Sequence, residues 1–403
     1  MLTRQGWLVS GGAVALIAAG RVLGVLELFV IGAATGALVL AALVIVYLSR
    51  LRLAVARQLT PPRVYAGTPS RVELSIRNDG SRTTPVLRLF DSVSGTRGAD
   101  LLLSPLEPDV VNRAAYRLPT DRRGIIEIGP LEVIVGDPFG LAASSTEAAP
   151  RAELTVYPRI DDIVAVPHTS GDDPHAGADH PSALGRSGED FYALRPYVVG
   201  DDLRRVHWPS TARRDELTVR QDELPWQGRV TVLLDVRRSA HTPASLELAV
   251  SAAASIITAC WKRRDLVRLT TTDNADFGFA AGTAHAEAIM EFLATVPASA
   301  GGTLRGVLES LGQAGNGGAI VPIVAGIADA ELATLPRLRG RFASVTIVHF
   351  LRSSYDESAG QQRDEGTTAT RGSTIIRVTA DRPFADAWNG ALHRGRRLPA
   401  AVR

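Results

Sequence analysis

Apolar positions follow three different rhythms along the 403 residues. In the first, Trp7 to Gly20 is almost wholly apolar, Arg21 and Glu27 interrupt, and Phe29 to Leu48 is a second uncharged run. The second run has the ~20 residues that a helix needs to cross a bilayer core. The first reaches that length if it extends to Val25, with Arg21 snorkelling toward an interface. A cleaved signal peptide is the rival reading, because Met1 to Arg4 resembles a basic leader. Against it, a second span follows almost at once and no clean cleavage signature is present. The pattern predicts a two-helix transmembrane hairpin over 1–50. Arg4 precedes it and Arg50, Arg52 and Arg57 follow it, against Arg21 alone in the turn. The positive-inside rule then places both ends, and the soluble domains downstream, on the cytoplasmic side of a plasma membrane.

The second rhythm is short and alternating. In Arg71–Asn78, Val72, Leu74 and Ile76 face one way while Glu73, Ser75 and Arg77 face the other. Leu131, Val133 and Val135 repeat it, as do Leu154 and Val156. Asn78-Asp79-Gly80, Gly129-Pro130 and Gly136-Asp137-Pro138 supply turn chemistry between the runs. No stretch carries a helical period. The expectation is an immunoglobulin-like β-sandwich or small barrel over 51–160, serving either as a recognition module or as a spacer.

The third rhythm alternates strand and helix over 229–403. "RVTVLLDV", Arg229–Val236, reads as a strand buried on both faces and ending at Asp235. A helical stripe of Leu246, Val250, Ala253, Ile257 and Cys260 follows, which makes Cys260 a packed small hydrophobe. Further buried strands are expected at 266–271, 319–325, 345–350 and 374–378, with helices near 283–296, 302–312, 328–338 and 384–394 between them. Repeated strand–helix units predict a doubly wound α/β domain with a mostly parallel sheet. Ligands of such sheets sit at the carboxyl ends of the strands, which singles out Asp235.

Charge and composition change this picture little. The net charge is +2 with acids and bases interleaved, giving no field for a nucleic-acid partner. Cys260 is the single cysteine, so an internal disulfide and a Cys-rich metal site are excluded. A polar linker is expected over 161–186. Its His168, His175 and His180 with Asp172, Asp173 and Asp179 lack the spacing of a helical metal site.

Between linker and α/β domain, residues 187–228 join the two. Here Leu194, Arg195, Pro196, Tyr197, Gly200, Asp201, Asp202, Arg205, Trp208, Ala212, Arg213, Leu217, Val219 and Arg220 are similar, without a gap, to the core motif of the domain of unknown function 58 family. The Asp137-Pro138-Phe139-Gly140-Leu141 turn and the amino-terminal hairpin resemble that family too. His207 and Pro209 depart from it, standing where the family more usually has Asp and Lys. The resemblance implies a membrane-anchored bacterial protein with a von Willebrand factor A-like domain. It also implies a MoxR-type AAA+ ATPase as partner, often with transglutaminase-like membrane proteins nearby.

Von Willebrand A domains often hold Mg²⁺ through Asp-x-Ser-x-Ser after the first strand and a Thr from a later loop, hard oxygen ligands suited to that cation. Asp235, Ser239 and Thr303 match that set here. Arg237 replaces the first Ser, bringing a cation where a ligand oxygen is needed, and can itself pair with Asp235. The expectation is a degenerate metal site and no resident cofactor.

The cluster at 194–220 admits three readings. His207, Ser210 and the carboxylates do not make a triad by proximity in sequence, and no nucleophile elbow or phosphate loop accompanies them. Its arginines are matched by acids, which removes the nucleic-acid reading. Arg–carboxylate forks with Tyr197 and Trp208 fit a buried joint between domains that doubles as a docking surface. No catalytic residue is assigned. The functional expectation is a non-catalytic, cytoplasm-facing adaptor working with the ATPase in envelope-related assembly or stress response. A metal-dependent binding protein or hydrolase using the Asp235 loop is the alternative.

Overall fold

The computed structural model describes residues 1–49, 51–167, 190–196, 206–214, 216–223, 228–313, 317–327, 332, 334–355, 368–370 and 373–397. They form two compact units, Met1–Tyr157 and Pro158–Arg403.

The first unit opens with α1 (Arg4–Leu23) and α2 (Leu26–Leu48), both long and apolar enough to cross a membrane. They approach closely where Gly20 faces Phe29 and Gly32 faces Ile17 and Ala13. Gly6, Ala13 and Gly20 are the buried positions of α1, and Gly32, Val39, Ala42 and Val46 those of α2. A Cβ on Gly20 would lie 2.5 Å from the Phe29 nitrogen, and one on Gly32 would lie 2.8 Å from the Ile17 nitrogen. Close backbone approach is how helices associate in lipid, where the hydrophobic effect gives no preference between neighbours.

The following strands form two sheets around one core. The order is β1 (Leu53–Thr60), β3 (Arg71–Asn78), β6 (Val111–Arg117) in one sheet. The other runs β2 (Arg63–Tyr65), β9 (Ala152–Tyr157), β7 (Gly124–Gly136), β4 (Leu87–Val93), β5 (Ala99–Leu103), with β8 (Ala143–Ala149) also on β7. The alternating residues Val72, Leu74, Ile76, Leu131, Val133, Val135, Leu154 and Val156 are all buried. One turn reading is corrected. Gly129-Pro130 lies inside β7, at the point where its edge partner changes from β9 to β8. A proline without an N–H is tolerated where the ladder changes hands.

A charged staple joins the two sheets. Arg57 of β1 donates to Asp91 of β4 at 2.7 Å and to the carbonyls of Ile128 (3.1 Å) and Pro150 (2.6 Å). Tyr116 of β6 donates to the other Asp91 oxygen at 2.6 Å. Gly129, at φ 98°, lets the guanidinium in, since a Cβ there would lie 2.7 Å from it.

The second unit is built on a sheet ordered β13 (Leu266–Thr271), β12 (Arg229–Leu234), β14 (Ala319–Ala325), β15 (Ser344–Phe350), β17 (Ser373–Val378), β16 (Thr368–Thr370). All neighbours are parallel except β16 and β17. β14 is buried along its whole length, as a strand covered on both faces must be. Leu233, Ile320, Val324, Val345 and Ile347 share a cluster with Leu304, Val307 and Leu311 of α6 (Leu304–Gln313). Of the helix expected over 328–338, residues 328–331 and 333 lie outside the described residues, Leu332 is helical, and Leu335–Gly340 is a 3-10 turn whose Pro336 opens it without an N–H to donate.

α4 (Pro243–Lys262) is the third helix apolar enough to span a membrane, yet 72% of its most apolar window is buried by the protein itself. It is a core helix, apolar nearly all round. Its serines dock the chain that enters the unit. Ser251 donates to the Arg159 carbonyl at 2.7 Å, and Ser255 accepts from the Asp161 nitrogen at 2.9 Å. On the carboxyl-terminal helix, Phe384–Arg397, buried Trp388 donates to the Val164 carbonyl at 2.8 Å and Asn389 accepts from the Val164 nitrogen at 2.9 Å. The polar linker expected from residue 161 is therefore a fixed strap as far as Val166, itself 1% exposed.

Candidate functional site

In the sheet order, β12 has β13 on one side and β14 on the other, so the chain's direction of travel reverses there. The crevice outside the carboxyl ends of β12 and β14 is where open α/β sheets bind ligands. Asp235 sits there, fully buried, its nitrogen donating to the Ile323 carbonyl of β14 at 2.9 Å. Arg237 occupies its carboxylate: Nε to Oδ1 at 2.9 Å, Nη2 to Oδ2 at 2.8 Å, and the backbone nitrogen to Oδ1 at 3.0 Å. Thr272, just past β13, donates to Oδ1 at 3.3 Å while accepting from the Val236 nitrogen at 3.0 Å. This charge-assisted fork sets a guanidinium against both carboxylate oxygens, where a cation would otherwise approach.

The loop after Asp235 is stitched on both sides. Ser299 donates its nitrogen to the Val236 carbonyl at 2.7 Å, and Arg238 returns a bond to Ser299 at 2.8 Å. Thr242 and Ser245 then form a reciprocal capping box with Pro243 in the first turn, starting α4 directly from the site. His241 precedes that cap, 5% exposed, with Nδ1 3.2 Å from the Ser245 hydroxyl. Its Nε2 has no hydrogen-bond partner among the described residues. Burial pushes the His241 imidazole below its ordinary 6.5; Asp235 opposes the shift, and Arg237 and Arg352 add to it. Arg352, after β15, donates to the Ser239 carbonyl at 2.5 Å.

Of the three metal-ligand candidates, only Asp235 has its carboxylate at the centre. Ser239 is exposed and is tied through its carbonyl. The Thr303 hydroxyl accepts from the Gly306 nitrogen at 3.1 Å, at the start of α6. Its loop still reaches the site's edge, because a Cβ on Gly302 would lie 1.8 Å from the Thr272 carbonyl oxygen. Among the described residues, no group of three or more His, Cys, Asp or Glu is placed to hold a metal ion. Burial pushes the Cys260 thiol up to about 12, so it is a poor nucleophile.

Sequence reasoning missed Thr272, His241 and Arg352. Thr272 had a signal, being the third threonine at the end of the 266–271 run, where carboxyl-edge residues fall. His241 directly precedes a Thr-Pro helix start.

The motif segment is described in pieces. β10 (Asp190–Pro196) and β11 (Thr218–Glu223) form an antiparallel pair that sets Leu194 opposite Arg220 and Arg195 opposite Val219. Tyr197, Gly200, Asp201, Asp202 and Arg205 lie outside the described residues. α3 (Trp208–Arg214) is tied to β11 by His207 N to Thr218 O at 2.8 Å and Thr218 N to the Thr211 hydroxyl at 3.1 Å. The His207 ring lies 2.8 Å from the Ser210 hydroxyl. Backbone and small polar groups make these ties. Trp208 is 66% exposed and Arg213 is exposed; the partners expected of them in a joint, Asp201, Asp202 and Tyr197, lie outside the described residues.

Residues 193–355 match the family described as Protein of unknown function DUF58, which covers the motif segment and most of the parallel sheet. No curated protein matches the chain. Among solved structures, the CARDB domain of a Pyrococcus furiosus protein in complex with di-metal ions is 17% identical, with 27% of this chain and 93% of that one covered and a TM-score of 0.21. A Listeria innocua β-glucosidase in complex with gluconolactone is 12% identical, with 25% and 16% covered and a TM-score of 0.17. Likenesses this shallow transfer no activity.

Proposed function

We propose that this chain is a non-catalytic, membrane-anchored adaptor whose α/β domain faces the cytoplasm and docks a protein partner. The observation that carries this is the Arg237 fork on Asp235. At the position where a von Willebrand A-like domain would hold Mg²⁺, a guanidinium of this chain supplies the positive charge instead. A fixed internal cation suits constitutive binding better than metal-gated binding or hydrolysis. Exposed Trp208 and exposed Leu217, both in the motif segment, support a docking surface, since aromatic anchors dominate such interfaces. The family resemblance nominates a MoxR-type AAA+ ATPase as the partner, in envelope-related assembly or stress response. The arginines flanking the hairpin favour the cytoplasmic side.

Two measurements test the proposal. The full-length protein, solubilised in mild detergent, should co-purify with the ATPase, and EDTA should not release it. Release by EDTA, or turnover of a phosphate or ester substrate that needs Mg²⁺, would favour the metal-dependent alternative. The substitution Arg237→Ser should uncover Asp235 and create a Mg²⁺-dependent rise in unfolding midpoint that the natural protein lacks.

A further inference from the structure

The hairpin and the sandwich of the first unit enclose a cleft that the adaptor role does not use. Residues 1–3 are clamped to the turn after β7. Thr3 N donates to the Leu141 carbonyl at 2.9 Å, its hydroxyl donates to the Gly140 carbonyl at 2.6 Å, and Ala143 N donates to the Met1 carbonyl at 2.9 Å. Asp137 shapes that turn by accepting from Phe139 N at 2.7 Å and Ala142 N at 2.5 Å. Leu141 and Ala142 then pack against Val39, Ala42 and Val46 of α2. Val39 is nine residues from the helix end at Leu48, so at 1.5 Å per residue the turn reaches about 14 Å along the helix. The turn thus packs along the apolar surface of α2 from Val39 to Val46, within the segment long enough to cross a membrane. Phe139 (58% exposed), Trp7 (69%) and Tyr47 (67%) are exposed aromatics of this unit, the residue type that marks the edge of a bilayer.

Beside this clamp lies a cleft of about 780 Å³. One wall is the last turns of α2, including Leu43, Val44 and Tyr47; the other is Val133 and Val135 of β7. Its polar lining, among the described residues, is the Met1 terminus and Ser49 with Ser144, Thr146 and Glu147 of β8. An apolar wall continuous with the apolar surface of α2, flanked by Thr146 opposite Val133 and Ser144 opposite Val135, matches one chemistry. Such a wall has room for an acyl chain along Val44 and Val133, with hydroxyl donors beside it for ester carbonyls.

We propose that this cleft binds one acyl chain of a bilayer glycerophospholipid, drawn out of the leaflet against β7. The proposal rests on α1 and α2 spanning the membrane. The bound lipid cements the sandwich to its anchor and makes their joint dependent on the bilayer around it.

The test uses the full-length protein in phospholipid nanodiscs, with a phospholipid carrying a photoreactive diazirine midway along one acyl chain. After photolysis, adducts are mapped by mass spectrometry. Adducts on the β7 segment 131–136 are expected, because lipid that merely surrounds the hairpin cannot reach that strand. Thr146→Trp, which fills the cleft from an exposed position, should reduce them at least ten-fold and leave adducts on α1 unchanged. Ser144→Trp, also on exposed β8, gives an independent check should the first variant unfold. Adducts confined to α1 and α2 overturn the site. Labelling of β7 by a free diazirine fatty acid but not by the phospholipid probe overturns the ligand. Release of the protein from membranes by alkaline carbonate overturns the spanning hairpin itself, and that outcome is separable from the other two.

Discussion

Two arginines grip two buried aspartates in this chain, and the pairs are built for different work. Arg57 and Asp91 come from strands of different sheets, with side chains 4% and 1% exposed. Arg237 and Asp235 are two residues apart in one loop, and the Arg237 side chain keeps 18% exposure. The sandwich pair exists only if both sheets are assembled around it. There desolvation raises the Asp91 carboxyl above its ordinary value, against the pull of Tyr116 and Arg57, and burial with Asp91 raises the Tyr116 hydroxyl in turn. The loop pair is made by its own few residues at a sheet edge that faces outward. One fastens a fold; the other fills a binding position.

The largest effect should separate them. Arg57→Ala leaves Asp91 charged and dry between two sheets, a loss of about 3–5 kcal/mol. Hydrogen exchange in the full-length protein should show β1, β4 and β6 opening together. Replacing both partners, Arg57→Met with Asp91→Leu, should restore most of that stability, because an apolar pair needs no solvation. A double variant as weak as the single one would mean that Arg57 acts through the Ile128 and Pro150 carbonyls instead.

Asp235→Ala should cost less, about 1–3 kcal/mol, because Arg237 can swing toward water once released. Mg²⁺ and EDTA should leave the unfolding midpoints of both the natural protein and this variant unmoved. A Mg²⁺-dependent midpoint in the natural protein would show that the cation displaces the guanidinium, making the two pairs alike in neither rigidity nor role.

A smaller effect follows from His241, which packs against the loop pair and has no counterpart in the sandwich. Its folded pKa lies below the ordinary 6.5. The stabilisation from holding it neutral is therefore complete above pH 6.5 and lost as the pH falls through the depressed folded value. The second unit should weaken below pH 6.5 more steeply than the first, and His241→Gln should flatten that slope. Equal slopes before and after the substitution would show that other groups govern the acid limb.

How much of this was legible beforehand depended on the range of the interactions. The strands around Val72, Leu131 and Asp235 were readable because a period of two, or an unbroken apolar run, is a local property. Pairing of Arg237 with Asp235 was readable for the same reason, since two residues apart is within one turn. The Arg57–Asp91 staple was not, because nothing near either residue announces a partner on another sheet. The strap at 158–166 was hidden similarly: its polar composition reads as linker, and only Ser251, Ser255, Trp388 and Asn389, far along the chain, reveal what it docks on. Gly129-Pro130 misled because the same dipeptide serves a turn and a change of strand partner.

The smallest effect on stability should come from the motif segment, and it bears most on function. Trp208 and Arg213 are charge and aromatic surface without burial, unlike either arginine pair. Trp208→Ala should shift stability by no more than about 0.5 kcal/mol, the usual range for an exposed position, and Arg213→Ala should leave the denaturant midpoint unchanged. If the segment docks a partner, the same variants should lose co-purification with the AAA+ ATPase, because truncating an aromatic anchor or an arginine at an interface commonly weakens binding ten-fold or more (about 1.4 kcal/mol). Midpoints and pull-downs measured on the same preparations decide between surface and joint. Falling midpoints with intact binding would return Trp208 and Arg213 to a buried joint and leave the docking surface to be sought at the Asp235 edge.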